Sequence, residues 1–460
     1  MHKEEKTSRK TFHSRLNRMV EKLERDIAEG VYSVGDLLPS ETALAELFKM
    51  GPRSVRKGID LLVERGVVVK ERRVGAKVVQ APELEQVTLV IACYATVVHD
   101  FALEPLIADF QALHPSIRVK TILVNTDHYH MFTQMLDSGV IDAVTLNQDT
   151  FQDFAVRDKL SLLEPLPDRL PGVYRFLTDV FSVGGRRYVQ PVIFSPLILC
   201  YNKVHFRENG LLEPDSTWTW SDMIKNARQL TRSDSYGLYF DPLSINIWPA
   251  LLLQSGVKFE RDANGRFEID LDGKFMECMR FYREIVSDPS MFPPFWNDRE
   301  IDYIRMVREG RISMTLVGYS TLTRLGGSGL DYDISPLPFI RHPLTNAVSI
   351  GVGVNEQSRH KEAVRTFMEY LRSPRAQRLI STHSLSIPVH KEVADEIRPD
   401  DGLRPSRYNL FKEIMPSFRV QQDLNLANWQ LRKISGPLQL YLTGQIGETA
   451  LCERLERALF

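Results

Sequence analysis

The hydrophobic pattern of this chain changes near residue 85, and the change separates two parts with different folds. Before that point apolar residues recur at helical spacing, as at Leu16, Met19, Leu23 and Ile27. Beyond it, β-like apolar runs at 87–94 and 117–124 alternate with amphipathic helical segments at 101–112 and 130–136. Such alternation is typical of a layered α/β domain with a mainly parallel sheet. A length of 460 residues suits several domains of about 100–200 residues each.

Three helices and a hairpin are predicted in the first part. A helix is predicted over 12–29, and Ser40, a favourable N-cap residue, opens a second one. Pro52 suits the first position of a third helix. Two short β runs at 67–70 and 77–79 are expected to pair as a hairpin with a basic tip. We therefore predict a charged, disordered arm over 1–11, a helical domain over 12–80 and a linker over 81–85.

The charge of the chain is divided unevenly between the two parts. Residues 1–80 contain 17 Lys and Arg against 12 Asp and Glu, which leaves 41 against 47 for residues 81–460. A basic first part is expected to meet a polyanion. Cations on a third helix and a hairpin tip are typical of a winged helix-turn-helix, whose third helix enters the major groove of DNA. The alternative is a small helical domain in which these charges form only a solvated surface.

Specific segments of this first part resemble the GntR-type winged-helix regulators. The matching segments are DIAEGVY at 26–32, GDLLPSE at 35–41, LA at 44–45, SVR at 54–56 and LVERGVV at 62–68. The resemblance implies binding to double-stranded operator DNA. The predicted DNA-binding residues are Ser40, Thr42, Arg53, Ser54, Arg56, Lys57, Arg72, Arg73 and Lys77.

The chain departs from the GntR pattern at several positions. Thr42 replaces the usual Arg, and Gly51 and Pro52 replace the usual Ser-Arg before the third helix. The Gly-x-Gly-Thr of the wing is reduced to VGAK at 74–77. Arg56 falls on the DNA-contacting Arg of the family, whereas the role of Arg53 is inferred from its face and charge. We expect a changed operator sequence.

The second part resembles the family 1 extracellular solute-binding proteins, the sugar receptors of bacterial ABC importers. The matching segments are FQALHPSIRV at 110–119, IDAV at 141–144, YVQP at 188–191, CYNK at 200–203, TWTW at 217–220, GRISM at 310–314, DYDISPLP at 331–338 and KEAV at 361–364. The resemblance implies a type II periplasmic-binding-protein-like domain over 86–460. Lobe one is predicted over 86–196 and 337–380, and lobe two over 197–336 and 381–460, with a ligand between them.

A cleft for sugars needs aromatic platforms for C–H faces and polar groups for hydroxyls. Trp248, Tyr319 and Trp429 stand where the family often places sugar-stacking aromatics, and Trp296 is chosen because it reads as part of a loop. The polar candidates follow predicted strands or adjoin the hinge, although capping and turn formation is the alternative role for such residues. They are Asp100, Asn147, Asp149 and Gln190.

Enzyme function and a membrane location are not expected. The hydrolase, P-loop and zinc-protease motifs G-x-S-x-G, G-x-x-x-x-G-K-[ST] and H-E-x-x-H do not occur, and the four Cys have no metal-ligand spacing. Thus no cofactor or metal is predicted. No secretory signal precedes the basic first part, and no apolar stretch reaches the roughly 18 residues of a membrane span. The sequence therefore predicts a cytoplasmic protein.

The sequence as a whole predicts a carbohydrate-responsive transcription regulator that acts as a homodimer. A dimer is expected because helix-turn-helix proteins commonly read two half-sites. Two alternatives remain: a DNA-binding protein whose receptor-like part is a ligand-free dimerisation scaffold, and a winged helix fused to a pyridoxal-phosphate aminotransferase-like domain. The second alternative needs a Schiff-base Lys in a Ser-x-x-Lys-like setting, and none is found.

Overall fold

A computed structural model describes residues 9–28, 30–71, 74–81, 86–125, 128–167, 170–261, 267, 269, 271–294, 302–398 and 403–459. The chain divides into two compact units, one formed by 1–88 with 108–119 and the other by 89–107 with 120–460. The predicted disordered arm spans residues 1–11, of which 1–8 lie outside the described residues. Its last three residues belong to the first helix, which begins at Arg9. Most of the predicted linker, 82–85, also lies outside the described residues.

The N-terminal segment contains the three helices and the hairpin that the sequence predicts. Its elements are α1 (Arg9–Ala28), α2 (Glu41–Phe48), α3 (Pro52–Glu64), β1 (Val68–Glu71) and β2 (Gly75–Val78). The strands pair antiparallel, with Val68 opposite Val78. Met19 and Leu23 of α1 pack with Val55 and Leu62 of α3 in one buried core. This arrangement is a winged helix-turn-helix.

Local sequence signals explain where α2 and α3 begin. The Oγ atom of Ser40 accepts a hydrogen bond from the Ala43 N–H at 3.2 Å, which satisfies one of the free donors of the first turn of α2. Lys49 ends α2 in the left-handed conformation, with φ of 49°. Pro52 then opens α3, because its fixed φ suits the first helical position.

The remainder of the chain alternates helices and strands. Its strands are β3 (Val87–Tyr94), β4 (Ile117–Val124), β5 (Ala143–Asn147), β6 (Ser182–Val183), β7 (Arg186–Arg187), β8 (Val189–Asn202), β9 (Tyr236–Tyr239), β10 (Ile312–Gly318), β11 (Tyr332–Ser335), β12 (Thr345–Val354), β13 (Ile387–Pro388) and β14 (Phe418–Arg419). Its helices are α4 (Val97–Asp100), α5 (Leu103–Leu113), α6 (His128–Asp137), α7 (Gln148–Val156), α8 (Arg175–Asp179), α9 (Lys203–Glu208), α10 (Trp220–Leu230), α11 (Trp248–Ser255), α12 (Lys274–Val286), α13 (Tyr303–Arg308), α14 (Tyr319–Leu322), α15 (Lys361–Arg372), α16 (Pro374–His383), α17 (Lys391–Glu396), α18 (Leu410–Ile414), α19 (Asn428–Leu442) and α20 (Glu448–Leu459).

One long strand, β8, joins two sheet regions. The strand order of the ten-stranded sheet is β4-β3-β5-β12-β8-β10-β9, with β11 and β13 also paired to β8 and β14 paired to β12. The first part of β8 pairs with β12 up to Pro196, and from Leu197 onward β8 pairs with β10. All 14 residues of β8 are buried.

The two sheet regions form two lobes. We call lobe one the part built on β3, β5, β12 and the first half of β8, and lobe two the part built on β9, β10, β11 and the second half of β8. The predicted lobe boundary between 380 and 381 falls inside α16, which runs through without a break. That prediction therefore needs correction.

The sheet is less parallel than the sequence pattern predicts. Although β3 pairs parallel to β5 and β9 parallel to β10, the strands that meet β8 run antiparallel to it. A strand that crosses between two lobes does not take part in a regular strand–helix–strand unit, so the rule that gives parallel sheets does not apply to it. Within the described residues, no helix combines the length and the apolar character needed to cross a membrane.

Candidate functional site

The first candidate site is the outward face of α3. The side chains of Arg53, Arg56 and Lys57 are exposed there, while Val55 and Ile59 on the opposite face are buried. Ser54 is half-buried beside them. Because three cations share one exposed helical face, this surface is suited to phosphate and base-edge contacts in a DNA groove.

Arg56 is held by an acidic residue of α2. Its Nε and Nη2 atoms donate to the Glu41 carboxylate, and the shortest contact, Nη2 to Oε2, is 2.8 Å. The hydrogen bond from Arg56 lowers the pKa of Glu41. Both side chains are solvent-exposed, with 60% of Arg56 accessible, so the pair orients the guanidinium more than it stabilises the fold. Thr42 is exposed on the same helix as Glu41.

The hairpin contributes two described cations, Lys70 of β1 and Lys77 of β2. Lys77 of β2 is half-buried and its Nζ lies 3.3 Å from Oε1 of Glu71. Arg72 and Arg73, which the sequence predicts at the tip of the wing, lie outside the described residues. Lys70 forms an ion pair with Asp60 near the end of α3. The described part of the wing therefore has its cations paired with acids, in contrast to Arg53 and Lys57, which form no ion pair with any described residue.

The second candidate site is a cleft of about 690 Å³ in the receptor-like part. Lobe one supplies residues from the ends of β3 and β5 and from α4 and α6. The middle of β8 and of β12 forms the floor, and lobe two supplies α14, α19 and the segment after α14. The polar and charged lining groups are Thr96, His99, Asp100, Asn125, His128, Asn147, Ser195, Asn246, Ser320, Thr321, Arg324, Asn346 and Arg432. A volume of this size suits a small organic ligand.

Asp100 and Asn147 are the two sequence-predicted ligand residues that line this cleft. Burial raises the pKa of the Asp100 carboxyl from 3.8 to about 6, while the hydroxyls of Thr96 and Ser320 and the charges of His99 and Arg324 act in the opposite direction. Asp100 thus combines partial burial with a position on the cleft wall. A carboxyl group of this kind accepts hydrogen bonds from hydroxyl-rich ligands when ionised.

Asn147 is both an N-cap and a cleft residue. Its Oδ1 accepts from the Thr150 N–H at 2.8 Å, which caps α7. The same Oδ1 accepts from the Tyr94 hydroxyl at 3.1 Å, and the Asn147 N–H donates to that hydroxyl at 3.0 Å. The capping role that the sequence leaves open is therefore present. Because the cap uses the carbonyl oxygen of the side chain, the amide Nδ2 is the group of Asn147 that remains for a ligand.

Asn346, on β12 at the floor of the cleft, was missed by the sequence analysis. Only 1% of its surface is accessible, and neither its Oδ1 nor its Nδ2 has a hydrogen-bond partner among the described residues. Buried amides are normally hydrogen-bonded, so an unpaired donor and acceptor in a cleft wall point to a ligand that completes the bonds. The available sequence signal was a single Asn in the otherwise apolar and small-residue run 345–354.

Trp248 and Tyr319 are placed in the core of lobe two and not on the cleft wall. Trp248 is 0% exposed at the start of α11, all eight residues of which are buried. Tyr319 is also 0% exposed, and its hydroxyl donates to the Tyr408 carbonyl oxygen at 3.0 Å. The predicted sugar-stacking role for these two rings is therefore wrong in this structure, because large rings bury more apolar area in a core than on an open wall.

Among the described residues, the predicted ligand residues Gln190, Asp149 and Trp429 are also absent from the cleft wall. The Gln190 amide donates to the Met368 carbonyl oxygen at 2.6 Å, and Asp149 is 0% exposed. Trp429 is half-buried beneath Lys433, whose Nζ lies 4.8 Å from its ring centre. Trp296 lies outside the described residues.

Asp149 is unusual among these residues, because both its carboxylate oxygens are buried without a hydrogen-bond partner. Burial raises its pKa from 3.8 to about 7, against the attraction of Arg432. Among the described residues no cluster of three or more His, Cys, Asp or Glu is arranged to hold a metal ion. His128, which lines the cleft, is the first residue of α6, and its Nε2 lies 3.2 Å from the Val124 carbonyl oxygen.

Comparison with known proteins identifies the N-terminal segment. The family model described as "Bacterial regulatory proteins, gntR family" matches residues 16–78. The chain is 41% identical over 73 residues to the putative HTH-type transcriptional regulator RmpR of Mycobacterium gastri, and 35% identical over 72 residues to the probable transcriptional regulator PhnF of Escherichia coli (strain K12). These matches take in 15% and 16% of this chain and span only 27% and 30% of the two relatives.

Solved structures resemble the receptor-like part. An ABC substrate-binding protein of Listeria monocytogenes, Lmo0181 in complex with cycloalternan, has a TM-score of 0.67 at 20% identity and covers 81% of this chain and 98% of its own. A Thermotoga lettingae solute-binding protein bound to α-D-tagatose has a TM-score of 0.68 at 18% identity, covering 82% and 100%. Maltose-bound MalE3 of T. maritima has a TM-score of 0.68 at 16% identity, covering 81% and 99%. At these identities the likeness establishes the fold.

The family model that covers most of the chain belongs to the same class of proteins. The model described as "Bacterial extracellular solute-binding protein" matches residues 98–378, which is more than half of the 460 residues. The two-lobed fold rules out the aminotransferase-like alternative for the receptor-like part. The chain therefore belongs to the bacterial extracellular solute-binding protein family and carries a GntR-type DNA-binding domain in front of that receptor-like part.

Proposed function

We propose that this protein is a non-enzymatic, cytoplasmic transcription regulator that senses a carbohydrate, in the form of an oligosaccharide, in the cleft between its two lobes. In this proposal the winged helix binds operator DNA through α3, and the protein acts as a homodimer. The observation that carries the sensing function is Asn346, whose buried amide lacks both hydrogen-bond partners at the floor of a cleft of about 690 Å³.

The chemistry of the cleft supports a polar, hydroxyl-bearing ligand. Amides from Asn125, Asn147, Asn246 and Asn346 line it together with the carboxyl group of Asp100. Amides offer both donors and acceptors, so they match hydroxyl groups, which are donors and acceptors themselves. Aliphatic side chains of the floor, such as Ile193, are available to the C–H face of a sugar.

The hinge provides a route from ligand to DNA affinity. Because β8 belongs to both lobes, closing the cleft on a ligand turns one lobe against the other about this strand and its partner β12. A ligand that binds one lobe arrangement about 100-fold better than the other supplies about 2.7 kcal/mol to shift the equilibrium. Helix-turn-helix dimers read half-sites about 34–36 Å apart, so a small change in the spacing of the two winged helices of a dimer changes its affinity for DNA.

A ligand-free dimerisation scaffold is the alternative for the receptor-like part. In this alternative the winged helix still binds DNA, but no ligand binds specifically in the cleft. The unpaired amide of Asn346 and the volume of the cleft favour the sensor, since a scaffold gains nothing from a buried donor and acceptor without partners.

The proposal is tested on the full chain in two steps. Selection from a random library of duplex DNA tests DNA binding by the winged helix, and we expect one duplex sequence to be enriched over many rounds. Calorimetry and thermal melting with a panel of mono- and oligosaccharides test the cleft. We expect at least one sugar to raise the melting temperature, and Asn346→Leu to abolish that rise while Asn209→Leu, at an exposed site outside the cleft lining, retains it. A panel without any binder supports the scaffold.

A further inference from the structure

We infer that the cleft recognises an acidic carbohydrate, that is, a sugar with a carboxylate or a phosphate group, and that Arg324 and Arg432 supply the positive charge for it. This inference rests on the proposed carbohydrate-sensing function and names the class of sugar. It starts from the balance of charge in the cleft. Two guanidinium groups line its wall, against one carboxyl group, that of Asp100.

Arg432 is more available than Arg324 to pair with a ligand anion. It lies on the second turn of α19, its side chain is exposed, and it lines the cleft. It forms no ion pair with any described residue. Two acids, Asp153 and Asp149, interact with it electrostatically without forming an ion pair. Burial raises the pKa of both, and that of the fully buried Asp149 rises to about 7. A buried acid that is partly protonated near neutral pH compensates only part of the Arg432 charge.

Arg324 has a protein partner, but the pair is weak. Its Nη2 lies 3.5 Å from Oδ1 of Asp302, at the limit of a hydrogen bond, and both side chains are about half accessible, at 51% and 54%. Ion pairs of this exposed kind contribute little, because water and salt screen them. A ligand anion within the cleft competes with Asp302 at small cost.

The remaining lining fits a small acidic sugar better than a neutral one held by stacking. The predicted platforms Trp248 and Tyr319 are core residues, and Tyr94, a lining aromatic, is only 5% exposed with its hydroxyl bonded to Asn147. Without an exposed Phe, Tyr or Trp ring among the described lining residues, affinity has to come mainly from hydrogen bonds and charge. Guanidinium groups bind carboxylate and phosphate with two parallel hydrogen bonds, which are stronger than bonds to neutral hydroxyls.

The test compares matched acidic and neutral sugars. The probes are digalacturonate against galactobiose and glucose 6-phosphate against glucose, each titrated into the full chain by calorimetry. We expect one acidic probe to bind at least about tenfold more tightly than its neutral match, and this preference to fall with added salt. Preference for digalacturonate assigns a carboxylate, and preference for glucose 6-phosphate assigns a phosphate.

Variants separate the charge argument from the function on which it rests. The double variant Arg324→Gln, Arg432→Gln is expected to lose the preference, whereas Arg305→Gln, at an arginine outside the cleft lining, keeps it. An unchanged melting temperature of each ligand-free variant shows that folding is intact. Neutral probes that bind as tightly as acidic ones, or a preference that survives in the double variant, overturn the inference and leave carbohydrate sensing in place. If no probe of either kind binds, both the inference and the sensing function are overturned.

Discussion

At the scale of single residues, two aspartates of the receptor-like part are held where their charge is unfavourable. Burial raises the pKa of Asp149 to about 7 and that of Asp100 to about 6, both from 3.8. The two carboxyl groups differ in what opposes the effect of burial on their pKa. The hydroxyls of Thr96 and Ser320 act against the effect of burial on the Asp100 pKa, whereas both oxygens of Asp149 lack a hydrogen-bond partner among the described residues. Asp100 is thus suited to a ligand contact, whereas ionised Asp149 destabilises the folded state.

We predict that Asp149→Asn stabilises the protein in a pH-dependent way. The folded state binds the Asp149 proton more tightly than the unfolded state, so ionising the carboxyl above pH about 7 costs folding free energy. That cost falls as the pH drops through the folded pKa and is absent below about 4, where both states are protonated. Asp149→Asn should therefore raise the free energy of unfolding by about 2–4 kcal/mol at pH about 8, and the gain should vanish near pH 4.

Denaturant unfolding across this pH range measures the effect. The matched control is Asp137→Asn, at an exposed aspartate of α6, which should change the free energy of unfolding by less than about 0.5 kcal/mol. A difference between Asp149→Asn and wild type that does not vary with pH would show that the burial of this carboxyl has been misjudged.

A second residue-scale prediction concerns the DNA-binding face. Arg56 is exposed on α3 and oriented by Glu41, so Arg56→Ala should weaken binding to the selected duplex by about 1–3 kcal/mol without changing carbohydrate affinity. Arg65→Ala is the control. Arg65 caps the far end of α3 and pairs with Glu24, with Nη1 to Oε2 at 2.7 Å, away from the cationic face.

Gel-shift titration compares the two variants with wild type. We expect the Arg65→Ala protein to bind DNA as wild type does. Equal DNA affinity for wild type and Arg56→Ala would remove α3 as the recognition helix.

At the scale of elements, the pairing of β8 with β12 depends on close contact at Gly351. The register of the two strands shifts between Ile350 and Gly351, and a Cβ atom at Gly351 would lie 2.2 Å from the Gln190 carbonyl oxygen. This distance is far below van der Waals contact, and the neighbour is backbone, which cannot rotate away. The hinge therefore needs a residue without a side chain at this position.

We predict that Gly351→Ala lowers the free energy of unfolding by about 2 kcal/mol or more, because the strands have to separate locally to admit the methyl group. Gly353→Ala, two residues along the same strand, is the control. A Cβ atom there would meet the Leu163 side chain at 3.3 Å, which a small shift relieves. Thermal melting of both variants measures the difference. Equal melting temperatures would contradict the close contact at the hinge.

The sequence predicts individual elements better than their assembly. The β runs at 87–94 and 117–124 match the bounds of β3 and β4, because their apolar pattern is local. The helix predicted over 101–112 begins two residues later, at Leu103, because Ala102, at φ of 53°, separates α5 from the short helix α4. Nothing in the local pattern indicates that break. The antiparallel direction of the strands beside β8 likewise depends on contacts between distant segments.

Position along the chain indicates which polar residues border the cleft, but it does not indicate which aromatic residues do. Asp100 and Asn147 follow strands whose ends border the cleft, and position along the chain was enough to place them. Trp248 and Tyr319 lie in the core, because a sequence does not distinguish an aromatic that fills a core from one that faces a ligand. Asn346 was missed because its significance depends on absent hydrogen-bond partners, which only a three-dimensional arrangement reveals.

At the scale of the whole receptor-like part, contacts between the lobes accompany the cleft. Asp153 of α7 accepts hydrogen bonds from Nδ2 of Asn428 at 2.9 Å and from the Trp429 N–H at 3.1 Å, at the first turn of α19. α7 packs on β5 of lobe one, while α19 packs on α12 and α20. Arg432, on the next turn of α19, lines the cleft. The cleft lining and the contact between the lobes therefore meet on α19, which suits a cleft that changes shape with a ligand.

The central claim is that occupancy of the cleft changes the DNA affinity of the winged helix. Its most direct test is the dissociation constant of the full chain for its selected duplex, measured without and with a saturating concentration of the sugar that binds the cleft. We predict a change of about 5- to 150-fold, and by reciprocity an equal change in sugar affinity when the duplex is bound. A DNA affinity that stays the same with a filled cleft would contradict it.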